Sequence, residues 1–282
     1  MLNIAVLLTV YNRKEVTLQG LHTLNQAINR LGDDYAFEIY MTDDGCTDGT
    51  GEAVNNQFPD VIIIKGDGSL FWSGGMRYAW QKALASNKPY DYYLWFNDDV
   101  NLYVDALETL FADNHAKGGD VIITGAMCDR NGHVSYGGRN KKMLMEPTGA
   151  PEPIELMNGN LVLIPSKVVC KIGIIDEHYR HGEGDFDYGC RSKQAGFGVF
   201  LSSKYVGVVD RHDEIIPRYC SEDYNFSERW KILHAPYTSL KDHYRFNYKY
   251  RGKLTAIITL FASYIGVFSP FLYKKMRKMK TK

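Results

Sequence analysis

The chain has 282 residues, 45% hydrophobic and 23% charged, a balance that argues for a globular protein and against disorder. Acids and bases number 33 each, so no overall charge points to nucleic acid as a partner. Five cysteines stand singly, with no C-x-x-C pair, which excludes a disulfide framework or zinc ribbon and fits reduced thiols in the cytosol.

The opening run "MLNIAVLLTVYNRKE" has no basic segment before its apolar stretch and no small-residue cleavage site, so residues 3–10 read as a buried strand and not as a signal peptide. Leu18, Leu21, Leu24, Ile28 and Leu31 then recur every three or four residues, one face of a helix that Gly32 can end. Further strands are expected at 37–42, 61–65, 92–97 and 121–126, separated by helical patterns near 48–57, 74–86 and 102–116. This alternation predicts an α/β fold with a mostly parallel sheet and right-handed crossovers. After residue 127 the alternation weakens, and 130–143 reads as a hairpin or loop excursion. Strand signals return at 160–165, 197–201 and 205–209, and from 221 onward the chain reads as helical, aromatic and basic.

In such sheets ligands bind beyond the carboxyl ends of the strands. Those positions hold Thr9, Tyr11, Asn12 and Arg13, then Asp43, Asp44 and Gly45, then Gly66, Asp67 and Gly68, and finally Asn97, Asp98 and Asp99. Acids at a strand end can simply mark the turn. Alternatively, the rigid strand in "YLWFNDDV" (93–100) aims its carboxylates at a divalent metal. In "TDDGCTDGT" (42–50), Thr47 or Asp48 can cap the next helix, which leaves Asp43 and Asp44 unexplained. Carboxylates there can accept hydrogen bonds from a nucleotide base or ribose. "GDGSLFWSGGMRYAW" (66–80) lacks the spacing of a P-loop or a dinucleotide fingerprint. Amides near Gly74 and Gly75 at a helix start can still bind a pyrophosphate, with Arg77 close by. Trp72 is either a core residue or a rim residue of that site.

The segments "TVYNR", "DDGCTDGT" and "FNDDV", in this order, resemble the inverting nucleotide-sugar glycosyltransferases of family 2, which have the GT-A fold. The family's D-x-D falls on Asn97-Asp98-Asp99, with Asn in place of the first acid and the last, metal-ligating acid on Asp99. "HGEGDFDYGCRSKQAG" (181–196) is similar to the acidic segment before the acceptor-side helix. The resemblance runs from residue 3 to about 215 and implies a Rossmann-like catalytic domain over 1–215, with a nucleotide-sugar half (1–126) and an acceptor half (127–215). Residues 216–282 are then a C-terminal helical, membrane-associating extension.

Taken with the strand ends, the resemblance implies Thr9, Tyr11, Arg13, Asp43, Asp44, Trp72, Arg77 and Asp98 around the nucleotide sugar. It implies Asn158 and Gly159 on the acceptor side, and Asp99 with His212 at a Mn²⁺ or Mg²⁺ ion. Sugar transfer needs the leaving diphosphate stabilised and the acceptor hydroxyl deprotonated. A hard cation held by few carboxylates and the phosphates supplies the first need. Of Glu183, Asp185 and Asp187, similarity puts the base at Asp185, while Asp187 reads as a helix cap.

These readings lead to hexosyl or deoxyhexosyl transfer from a UDP- or dTDP-sugar to a glycan acceptor, lipid-linked, in bacterial surface polysaccharide synthesis. A nucleotidyltransferase is the alternative enzyme, but "TVYNRKE" lacks the glycine-rich loop that class carries. A non-catalytic nucleotide-sugar-binding module is the third reading, and it has no need of Asp185. The run from Leu254 to Tyr273 is uncharged, and twenty helical residues would span ~30 Å, a bilayer's hydrocarbon thickness. Pro270 interrupts it, and six bases follow from Lys274 to Lys282. A helix packed on the catalytic domain and a true span are the alternatives to the expectation, a helix lying on an anionic membrane surface, which places the protein in the cytoplasm at the inner face of the cell membrane.

Overall fold

A computed structural model describes residues 1–141, 143–210 and 217–280. β1 (Leu2–Val10) is fully buried from Ile4 to Leu8, as a strand covered on both faces requires. It leads into α1 (Lys14–Leu31), which ends at Gly32 with φ 73°, a conformation open to glycine. The alternation continues through β2 (Tyr35–Asp43), α2 (Thr50–Gln57), β3 (Ile62–Lys65), α3 (Phe71–Ala85) and β4 (Tyr92–Phe96). Next come β5 (Asn101–Leu102), α4 (Ala106–Ala116) and β6 (Ile122–Cys128). Five short strands fill the excursion: β7 (Val134–Tyr136), β8 (Gly138–Asn140), β9 (Met143–Leu144), β10 (Glu152–Pro153) and β11 (Leu156–Met157). β12 (Leu161–Pro165), α5 (Ser166–Ile172), α6 (Gly184–Gln194) and β13 (Val199–Val208) follow.

The main sheet runs β10-β13-β6-β12-β4-β1-β2-β3. β1 pairs in parallel with β2 and β4, β2 with β3, and β6 with β13. β12 lies antiparallel between β4 and β6, because a run of short strands and not a crossover helix leads into it. β8, β9 and β11 form a separate small sheet. The strand signals at 197–201 and 205–209 belong to one strand, β13, whose register shifts between Leu201 and Tyr205. At that bulge the Ser202 hydroxyl accepts from Ala126 N and donates to Lys204 O, which breaks the apolar pattern.

Alternate residues of β1 face opposite cores. Val6 and Leu8 join Leu21 and Leu24 of α1 and Leu107 and Leu110 of α4. Ala5 and Leu7 join Met76 and Trp80 of α3 and Tyr188 of α6. Trp80, Trp95 and Tyr188 pack with ring centroids 5.2–5.6 Å apart.

The chain divides into two compact units, Met1–Glu177 with Asp185–Arg211, and His178–Gly184 with His212–Lys282. The second contains α7 (Phe226–His234), α8 (Leu240–Arg251), α9 (Lys253–Phe268) and α10 (Pro270–Lys280). Asn225 and Glu228 form a capping box that starts α7. Pro270 opens α10, where its missing N–H costs nothing, and so divides the uncharged run. The resulting α9 has 16 residues, about 24 Å at ~1.5 Å per residue. Among the described residues, no helix is long and apolar enough to cross a membrane.

Candidate active site at the strand ends

Asp98, just past β4, is fully buried and held from α1, where Thr17 Oγ1 donates to its Oδ2 at 2.7 Å and Arg13 pairs with its Oδ1. Gly20 brings α1 this close, since a Cβ there would stand 2.3 Å from the Asp98 carbonyl oxygen. Burial pushes the Asp98 carboxyl up to about 6, against Arg13 and Thr17, which draw it down. Arg13 also donates from Nη1 to Asp99 Oδ2 at 3.1 Å. Asp99 Oδ1 is buried and meets no hydrogen-bond partner among the described residues. Asn12, before Arg13, adopts φ 49°, and its side-chain oxygen accepts from Thr47 N at 2.7 Å. Tyr11 is exposed, while Thr9 packs on Gly75 of α3, where a Cβ would stand 2.1 Å from Thr9 Oγ1.

The acids after β2 are both committed to local structure. Burial opposes ionisation of Asp43, but Lys65 Nζ at 2.5 Å and the Cys46 amide at 2.8 Å outweigh it and hold the carboxyl below its usual range. Asp44 accepts from the amides of Gly68, Leu70 and Phe71 at 2.9, 3.0 and 3.0 Å. This changes the reading of the glycine-rich segment. α3 starts at Phe71, its leading amide is spent on Asp44, and Gly74 and Gly75 lie inside the helix. Arg77 donates from Nη1 to Asp176 O at 3.1 Å. Asp48 is not the N-cap of α2, a position that Gly49 takes, although it does accept from Thr50 N and Lys14 N at 3.0 Å each.

A third set joins β4, β12 and α6. Trp72 Nε1 donates to Asn97 Oδ1, and Asn97 Nδ2 donates to Asn160 Oδ1, both at 2.7 Å. Asn158 Oδ1 accepts from Asn160 N at 3.2 Å. Gly159 lies against the Trp72 ring, where a Cβ would come within 2.5 Å, and its N–H donates to Asp185 Oδ2 at 2.9 Å. Asp185 Oδ1 accepts from Phe186 N at 2.8 Å, in the first turn of α6. Asp187 is no cap. It is fully buried and binds Arg191 Nε at 2.7 Å, one turn along, while Arg191 also donates to the carbonyls of Ile172 and Ile174. In the second unit Glu183, at φ 64°, accepts from His243 Nδ1 at 2.7 Å.

The strand end 97–99 therefore links two contact sets, Arg13 with Asp98 and Asp99, and Trp72 with Asn97, Asn160, Gly159 and Asp185. Asp43 and Asp44 shape the neighbouring loop, and His212 lies outside the described residues. Asn160 and Thr17 were not singled out from sequence. The doubled asparagine of "MNGN" was the signal for Asn160, and nothing local marks Thr17. Asp99 fits a hard cation, because its Oδ1 is a buried carboxylate oxygen that no donor among the described residues satisfies. No cluster of three His, Cys, Asp or Glu able to hold a metal occurs among the described residues.

Residues 5–164 match the family described as Glycosyl transferase family 2. No curated protein matches the chain. Similar solved structures include S. aureus TarS 1–349 in complex with UDP-GlcNAc, at 13% identity and TM-score 0.53 over 95% of this chain and 81% of that one. The mannosyltransferase PcManGT from Pyrobaculum calidifontis, in complex with GDP-Man and Mn²⁺, is 14% identical over 99% of this chain and 84% of its own, with TM-score 0.53. GalNAc-T7 with UDP, GalNAc and Mn²⁺ is 12% identical over 87% of this chain and 50% of its own, with TM-score 0.54. These likenesses show a shared GT-A architecture, with its large sheet flanked by helices. Matched over more than half its length and folded accordingly, the chain belongs to glycosyl transferase family 2 and is a glycosyltransferase.

Proposed function

We propose that the chain moves a hexosyl or deoxyhexosyl group from a UDP- or dTDP-sugar to a glycan acceptor by an inverting single displacement. The observation that carries this reading is the tether between Asp185 and the β4 strand end, through Gly159, Trp72 and Asn97. The tether in this reading connects a carboxylate on the acceptor side to the strand end that carries the donor-side carboxylates. In this reading Asp185 takes the proton of the acceptor hydroxyl as that oxygen bonds to the sugar's anomeric carbon and the bond to the diphosphate breaks. Arg13 fixes Asp98 and Asp99, and Asp99, with His212, would hold Mn²⁺ or Mg²⁺. Such an ion neutralises the departing diphosphate. Asp43, Asp44, Thr9, Tyr11 and Arg77 surround the nucleotide side, and Asn158 and Gly159 the acceptor side. The nucleotide sugars named with TarS and PcManGT support the donor class. Release of nucleotide from UDP-, dTDP- and GDP-sugars, with and without a chelator, tests it. Release of UDP or dTDP that the chelator abolishes is the expected result, and no release from any donor would overturn the reading.

The acceptor in this reading is lipid-linked, as bacterial surface polysaccharide synthesis requires, and the second unit sets the enzyme on the membrane's inner face. In support, Leu254, Ile258, Phe261 and Phe268 of α9 are exposed at helical spacing, joined by Phe271 of α10. Phe226 and Trp230 extend this surface, with Phe226 and Phe268 centroids 5.3 Å apart. No acid occurs from Lys253 to the end of the chain, whereas Lys274 and Lys275 begin a basic stretch. An apolar face rimmed by bases fits anionic lipid.

A further inference from the structure

An indole N–H can only donate, so Asn97 must turn its amide oxygen toward Trp72, as it does at 2.7 Å. The Asn97 nitrogen then faces Asn160, which must present its own oxygen, again at 2.7 Å. The backbones reinforce this register, since Asn97 N donates to Asn160 O at 2.8 Å. Both amides are thus fixed in orientation by a partner that cannot reverse. What is left over is Asn160 Nδ2, a buried donor on a residue 7% exposed, with no partner among the described residues. A buried N–H without an acceptor is costly, and flipping Asn160 would only set two nitrogens face to face.

We propose that Asn160 is a ligand-binding residue whose Nδ2 donates to an oxygen that accepts but cannot donate, and that Asn97 is the positioning residue that sets this polarity. Oxygens of that kind belong to the diphosphate of the donor, or to an acetamido or carboxylate substituent on the transferred sugar. A sugar hydroxyl would satisfy either polarity and would need no such fixed amide. The inference rests on the nucleotide-sugar reading above.

The resembled D-x-D pattern has an acid where this chain has Asn97. An aspartate there would accept from Trp72 and from Asn160 Nδ2 together, turning the Asn160 oxygen into the group left over. Asn97→Asp therefore converts a waiting donor into a waiting acceptor with almost no change of shape. Asn160→Asp removes the donor directly and still accepts from Asn97.

Calorimetric titration of the wild type and both variants with UDP, dTDP, UDP-glucose, UDP-GlcNAc and UDP-glucuronate tests this, with thermal melting run alongside. The expected result is a loss of about tenfold or more in affinity in both variants for the ligands that carry the oxygen. Equal loss for the bare diphosphates and every sugar assigns the oxygen to the diphosphate, and loss confined to UDP-GlcNAc or UDP-glucuronate assigns it to the sugar. If one variant fails to fold, the other still reads the polarity. Affinities unchanged in the variants, whether or not melting is lowered, would assign the amide to packing or a resident water and overturn the inference. Absence of all nucleotide binding by the wild type would overturn the donor reading itself.

Discussion

Arg13 Nη1 lies 3.1 Å from Asp99 Oδ2 while the same guanidinium binds Asp98, so one cation spans two neighbouring carboxylates of unequal burial. Removing either acid should have different consequences. Asp99→Ala leaves Arg13 on Asp98 and should melt near the wild type, yet lose about a hundredfold or more in metal-dependent transfer. Asp98→Ala strands the Thr17 hydroxyl in a buried site and should cost about 1–3 kcal/mol of stability. Melting curves and chelator-sensitive turnover on both variants check the pair. An Asp99→Ala enzyme of normal activity would remove Asp99 from the metal site.

Asp185→Asn keeps an oxygen for the Gly159 amide but cannot take a proton at neutral pH. Nucleotide binding should therefore survive while turnover collapses, which calorimetry and kinetics separate. Asp187→Asn should do the reverse, losing about 3 kcal/mol of stability through its buried pairing with Arg191 while spared molecules keep their chemistry. Normal turnover in Asp185→Asn would move the base elsewhere.

Gly159→Ala probes the tether. The new methyl would meet the Trp72 ring at 2.5 Å and the Asp185 Cβ at 3.3 Å. Overpacking of this kind costs about 1–3 kcal/mol, and the ring must move to relieve it. Lowered melting should accompany changed Trp72 emission and reduced turnover. An unaltered spectrum and activity would show the ring free to yield.

Phe261 is 64% exposed on α9, so Phe261→Ser should leave melting within about 0.5 kcal/mol of the wild type. Flotation with vesicles rich in phosphatidylglycerol should nonetheless weaken about tenfold, as roughly 1.5–3 kcal/mol of apolar burial is lost. Neutral phosphatidylcholine vesicles should bind both proteins poorly. Equal flotation of variant and wild type would remove this face from the lipid contact.

Burial holds the His181 imidazole below its usual 6.5, with Asp242 working the other way. A histidine depressed on folding contributes stability above 6.5 that is lost as pH falls through the folded value. Arg180 N and His181 N both donate to Asp242 Oδ2 at 3.1 Å, so loosening should spread to α8. Protection factors of α8 from hydrogen exchange should fall between pH 7.5 and 5.5, and His181→Gln should flatten that fall. Constant protection across the range would show that His181 titrates freely.

The N-terminal half was legible because buried parallel strands and amphipathic helices have distinct periods, and Gly32 ends α1 where its position suggested. β12 gave an apolar run like its neighbours, and nothing in such a run encodes direction, so its antiparallel pairing was hidden. The bulge at Ser202 split one strand signal into two. Among the site residues, sequence marks which side chains lie at strand ends but not their obligations. The sequence marked Asp44 as a ligand contact without showing the three amides it accepts from, while Asp187 read as a cap and is a buried ion pair. Asn160 matters only through Asn97 and Trp72, a relation made by the fold across distant segments.

The place of β12 has a consequence for how the chain is made. β4 pairs with β1 along one edge from Tyr92 to Trp95, and its other edge waits for β12, with Leu161 opposite Phe96. At about 5–20 residues per second of synthesis, that apolar edge stands open for several seconds. Open strand edges of this kind template the wrong partners. The nascent protein is thus most vulnerable after β4 has left the ribosome and before residue 165 has, a stretch where slower translation lengthens the exposure and a chaperone shields it. A fragment ending at Cys128 should form inclusion bodies, whereas one reaching past Val208 carries every strand that the main sheet needs.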